Sequence, residues 1–133
     1  MYYAWGYCSA LTSFPLIDTS SVTNMTRVWF ECNNLTSFPS IDTSSATTMD
    51  HTWYKCGALI SFPLLDTSSI TSMGYAWNYC TSLICMGGFT RNGNTPYSYA
   101  PGLFNNTPAL LRPDDTEQTT ILNGNSWTNP TSC

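Results

Sequence analysis

Few residues in this chain could do chemistry, and most of them recur at one spacing. His51 is the single histidine, and it directly follows Asp50. Adjacent side chains on a helix point in different directions, so this pair does not form a base with its orienting carboxylate. Four of the six cysteines, Cys8, Cys32, Cys56 and Cys80, fall 24 residues apart. No C-x-x-C pair and no second histidine accompany them, so a thiolate or imidazole metal centre is not indicated. Asp18, Asp42 and Asp66 keep the same spacing but lack the multi-oxygen loop of a calcium site. No paired carboxylates, nucleophile elbow or phosphate-cradling glycine loop occurs. The chain reads as non-enzymatic, with no cofactor and no metal. Cys85 and Cys133 lie outside the ladder. A disulfide between them would staple the C-terminal part to the fourth coil and imply an oxidising compartment.

The elements that position these residues follow from the repeat. Met1, Met25, Met49 and Met73 are 24 residues apart, as are Trp5, Trp29, Trp53 and Trp77, and Leu11, Leu35, Leu59 and Leu83. Ser-Phe-Pro recurs at 13–15, 37–39 and 61–63, and Asp-Thr-Ser-Ser at 18–21, 42–45 and 66–69. A fixed period of this length means stacked coils. Val22, Met25, Trp29 and Cys32 fit one face of a short helix of about nine residues, which only packing can hold. Leu35 to Phe38 reads as a short strand ended by Pro39, and Asp42 to Ser45 as a turn in which the carboxylate accepts backbone N–H groups. The expected fold is an α/β repeat solenoid with one short strand and one short helix per coil. Four repeats occupy 1–88 (1–24, 25–48, 49–72 and 73–88 onward). Residues 89–133 hold an insertion, a degenerate fifth coil in which Phe104, Thr107 and Leu110 keep the Trp, Cys and Leu spacing, and a C-terminal cap.

Composition narrows the function classes. Charged residues are 9% of 133, with only four Lys and Arg and a net charge of −4. A nucleic-acid-binding surface needs a basic footprint, so no nucleic-acid partner is expected. No apolar run is long enough to span a membrane. Nineteen aromatic residues give an ordered, aromatic-rich chain rather than a disordered one.

Positions that do not repeat are the candidates for contact with a ligand. One column runs Tyr3, Arg27, His51, Tyr75, and the next runs Tyr7, Glu31, Lys55, Tyr79, with Phe30 and Tyr54 beside them. Tyr3, Tyr7, Arg27, Phe30, His51, Tyr54, Tyr75 and Tyr79 therefore form the candidate ligand-binding surface. Exposed Tyr, Arg and Phe in one patch suit recognition. A second, different reading comes from Thr19, Ser21 and Thr23 and their counterparts in coils two and three. If these share a face they form the regular hydroxyl lattice of an ice-binding solenoid.

The coil M-x-x-A-W-x-x-C-x-x-L-T-S-F-P-x-I-D-T-S-S-V-T-N resembles the BspA-like leucine-rich repeats, the Mycoplasma-type lipoprotein repeat. Trp stands where those repeats usually have Phe, and Phe-Pro replaces their second Leu. Trp-containing versions resemble coils of phage and marine viral fibre proteins. The resemblance covers residues 1 to about 88. It implies a leucine-rich-repeat-like fold and an extracellular, cell-surface or virion-borne recognition or adhesion module, whose partner is a surface glycan or a protein receptor. The alternative within the same setting is a purely structural fibre or particle component. Coil one carries no capping segment ahead of it, so the N-terminal end is expected to continue into, or dock on, another domain or protomer.

Overall fold

The computed structural model describes residues 1–90 and 102–107. Coils stack one period apart, and backbone bonds join them. The N–H groups of Met25, Arg27, Trp29 and Glu31 donate to the carbonyls of Thr48, Asp50, Thr52 and Tyr54 at 2.8–3.0 Å. Those of Met49, His51, Trp53 and Lys55 donate in the same way to Ser72, Gly74, Ala76 and Asn78. The intervening N–H groups turn inward. Val28, Phe30 and Cys32 donate to the carbonyls three residues back, on Met25, Arg27 and Trp29. Alternate amides thus close overlapping turns and bond the next coil.

This overturns the α/β solenoid with a helix in each coil. Among the described residues there is no helix, and the ordered strands are four of two residues each. The cause is backbone conformation. Tyr3, Tyr7, Arg27, Glu31, His51, Lys55, Tyr75 and Tyr79 all have φ between 54° and 64°. Two left-handed residues four apart break any helix over that stretch. Each such non-glycine residue costs roughly 1–2 kcal/mol. Inter-coil hydrogen bonds offset that cost, because a backbone donor left unpaired against the next coil is also expensive. A helix would satisfy its amides internally and leave the coils joined by side chains alone. The Met-Trp-Cys spacing suits both solutions.

On the opposite side the chain is extended. β1 (Ser61–Phe62) pairs in parallel with β3 (Cys85–Met86), and β2 (Leu65–Asp66) with β4 (Phe89–Thr90), each in one-period register. In the earlier coils this side is held by single bonds, Thr36 N–H to Thr12 and Ile60 N–H to Thr36. Pro15, Pro39 and Pro63 each remove a donor after the Phe. Coil four has Gly87 where coil three has Pro63, and a Cβ there would lie 2.3 Å from the Leu64 nitrogen. The glycine permits that close approach.

Between the two sides lies an aromatic core. Trp5, Trp29, Trp53 and Trp77 stack with centroids 5.0–5.7 Å apart and planes within 12° of parallel. Phe14, Phe38 and Phe62 form a second stack set steeply against it. Met, Trp, Cys and Leu of coils two to four are fully buried, whereas Met1, Trp5, Cys8 and Leu11 are only partly so. Phe104 continues the tryptophan stack at 5.6 Å from Trp77. Gly102 and Asn106 flank it with φ of 58°, matching the left-handed positions of the earlier coils. Leu110 lies outside the described residues.

Candidate recognition surface

The turn ladder sets the eight candidate side chains along one edge of the stack. All eight join a continuous network of ring and cation contacts. Tyr3 stacks with Tyr7 at 6.4 Å, and Phe30 packs on both, at 5.8 and 5.4 Å. Phe30 stacks on Tyr54 at 5.0 Å, planes 9° apart. His51 stacks on Tyr75 at 5.0 Å and lies 5.5 Å from Tyr54. Tyr54 meets Tyr79 edge-on at 5.9 Å. The Arg27 guanidinium carbon sits 5.4 Å from the Tyr3 centroid and 5.7 Å from that of Phe30, within cation–π range.

The ring orientation decides what this edge can offer. Phe30 over Tyr54 and His51 over Tyr75 stack from coil to coil, so their planes lie across the stack axis. One face of each ring is covered by its partner. Tyr7 and Tyr79 stand out at 61% and 43% exposure.

Electrostatics mark one side chain. Lys55 pairs with Glu31 at 3.1 Å, and that hydrogen bond raises the lysine pKa. Asp50 accepts from the Ser72 hydroxyl at 2.7 Å and the Gly74 N–H at 2.7 Å. Its carboxylate is therefore turned to the next coil, as its backbone neighbourhood dictates, and not to His51. Burial, and then the nearby Arg27 charge, hold the His51 pKa below its usual value. Arg27 has no ion pair among the described residues, and its Nε is buried without an acceptor.

The unrepeated positions of the sequence include Glu31, Lys55, Asp50 and Tyr2 beside the eight candidates, but their pairings were not foreseen. Opposite charges one period apart were the available signal for the Glu31–Lys55 pair. Tyr2, 60% exposed, meets Tyr3 edge-on at 4.9 Å.

The other candidate groups are structural. The thiols of Cys32, Cys56 and Cys80 are free and donate to the carbonyls of Trp5, Trp29 and Trp53 at 3.1–3.2 Å. Burial raises their pKa, for Cys32 to about 11. Thr107 takes the cysteine position in the fifth coil, its hydroxyl donating to Trp77 at 2.7 Å. Cys85 is disulfide-bonded, and Cys133 lies outside the described residues. Asp18 and Asp42 each accept from the Ser hydroxyl and N–H two residues on. The hydroxyl lattice divides: Thr19, Thr43 and Thr67 are buried, and Thr19 and Thr43 bond the carbonyls of Asp42 and Asp66. Thr23, Thr47 and Thr71 are exposed on the other side of the chain.

Comparison of the chain with protein-family models, with curated proteins and with solved structures gave no match in any of the three.

Proposed function

We propose that this chain is a non-enzymatic recognition module, displayed outside the cell or on a virus particle, that binds a surface partner along the aromatic edge of its coil stack. The carrying observation is the unbroken contact network from Tyr3 to Tyr79. It consists of unrepeated residues held in fixed order by repeated ones. Rigid aromatic side chains and an arginine are the groups that dominate binding energy at interfaces, because little conformational entropy is lost when they engage. The sparse surface charge and the disulfide at Cys85 suit an oxidising, extracellular setting.

The test is adhesion of beads carrying the chain to a panel of glycan-coated and protein-coated surfaces under flow. A variant with Tyr7→Ser and Tyr79→Ser is compared with one carrying Leu16→Ser and Leu64→Ser, exposed elsewhere on the stack. The reading expects adhesion to fall at least tenfold in the tyrosine variant and to persist in the leucine variant. Equal loss in both, or no adhesion by the parent chain, overturns it. Intact adhesion with altered self-assembly of the tyrosine variant would favour the purely structural role.

A further inference from the structure

The aromatic edge carries one charge whose capacity is unused. Among the described residues the basic side chains are Arg27, His51 and Lys55. Lys55 is tied to Glu31. His51 is packed between Phe30, Tyr54 and Tyr75. The two carboxylates of the edge are also engaged, Glu31 by Lys55 and Asp50 by Ser72 and Gly74. Arg27 makes no side-chain hydrogen bond and no ion pair among the described residues. Its guanidinium rests against two adjacent rings, 5.4 Å from the Tyr3 centroid and 5.7 Å from that of Phe30, which are themselves 5.8 Å apart. Its Nε is out of solvent, so the terminal nitrogens are the donors that remain.

A guanidinium fixed by stacking, with its fork free, is arranged for a planar two-oxygen anion. The ring contacts hold the fork still, so less freedom is lost when the anion arrives. Resting on the recognition reading above, we infer that the Arg27 guanidinium, seated on the Tyr3 and Phe30 rings, is a carboxylate subsite and that the partner is a sparsely charged acidic polysaccharide.

The choice of a sugar acid rests on the rest of the edge. Among the described residues Arg27 is the one permanent cation without an ion pair, and the chain as a whole carries a net charge of −4. A dense polyanion would meet repulsion from the exposed carboxylates of Asp18 and Asp42. A polymer whose carboxylates are separated by neutral sugars would meet less of it. Tyrosine hydroxyls at Tyr3, Tyr7, Tyr54, Tyr75 and Tyr79 supply neutral donors and acceptors for sugar hydroxyls along the same line. The exposed rings of Tyr7 and Tyr79 give apolar contact for sugar C–H faces.

The experiment is calorimetric titration of the full chain with a hexasaccharide that alternates glucuronic acid and N-acetylglucosamine. The same hexasaccharide with its carboxylates methyl-esterified is the second probe, and polyglutamate the third. The inference expects the acid form to bind at least tenfold tighter than the ester, with affinity falling as salt rises. Arg27→Gln is expected to bring acid and ester to equal affinity, with the near-ultraviolet signature of the tryptophan stack retained. The acid-against-ester comparison needs no variant, so it stands even if Arg27→Gln folds poorly. Equal binding of acid and ester overturns the carboxylate subsite while leaving glycan recognition intact. Polyglutamate binding as tightly as the hexasaccharide overturns the sugar assignment. Absence of binding by all three at millimolar concentration overturns the inference, and the adhesion assay then judges the recognition reading by itself.

Discussion

The indole of Trp53 lies on that of Trp29 with centroids 5.5 Å apart and planes 5° from parallel, and both side chains are fully buried with their N–H groups unpaired. A buried donor without an acceptor carries a desolvation penalty of roughly 1–3 kcal/mol. The stack therefore holds through area and ring contact, and not through the polar end of the indole. Truncation and donor removal should separate cleanly. Trp53→Ala is expected to destabilise by about 3–5 kcal/mol. Trp53→Phe removes the orphaned donor and most of the lost area is retained, so its effect should stay within about 1.5 kcal/mol. Urea unfolding of the two variants checks this.

Lys55 has a φ of 58° and its amide donates to Asn78. Glycine adopts that conformation without the penalty of roughly 1–2 kcal/mol that other residues carry. The exposed ion pair with Glu31 is worth little. Lys55→Gly should be neutral or raise the thermal midpoint, and Lys55→Val should lower it. In a helix the glycine would instead cost about 1 kcal/mol, so the sign reports the local backbone directly.

That backbone marks the limit of what could be read from the residues. The columns of Met, Trp, Cys and Leu name the core, and the unrepeated columns name the edge where Tyr3, Arg27, His51 and Tyr75 meet. Helix against turn ladder was not legible. Met25, Trp29 and Cys32 fit either period, and the left-handed positions are filled by Tyr, Arg, Glu, His and Lys instead of the Gly or Asn that would announce them. The deciding bonds, such as Trp29 N–H to Thr52, join residues 23 apart and leave no local trace. The role of Asp50 was hidden for the same reason, since its partners Ser72 and Gly74 lie 22 and 24 residues further along the chain.

Native-state alkylation at pH 8 should modify Cys8 first, because it is only partly buried. Cys32, Cys56 and Cys80 are buried and bonded to carbonyls, with pKa values raised by burial, so they should react only on unfolding. Mass mapping of the labelled peptides gives the order. Early modification of Cys56 would contradict the packing.

Two limbs of pH dependence are expected. His51 has a folded pKa below its usual value, so the unfolded chain binds the proton more readily. Stability should therefore fall as pH drops below about 6.5, and His51→Gln should remove that limb. Asp18 and Asp42 are held below the usual carboxylate value, first by the Ser20 and Ser44 hydroxyls and then by their N–H groups. Their contribution is present above about pH 4 and is lost as pH falls through the folded values. Urea midpoints between pH 3 and pH 8 resolve both.

The central claim is that ligand contact runs along one edge of the stack. The most direct measurement is a map of amide and aromatic NMR shifts as the acidic hexasaccharide is added. The account predicts perturbations centred on Tyr3, Tyr7, Arg27 and Phe30 and fading through His51, Tyr54, Tyr75 and Tyr79. Perturbations centred instead on Thr23, Thr47 and Thr71, or on Leu16 and Leu64, would contradict it.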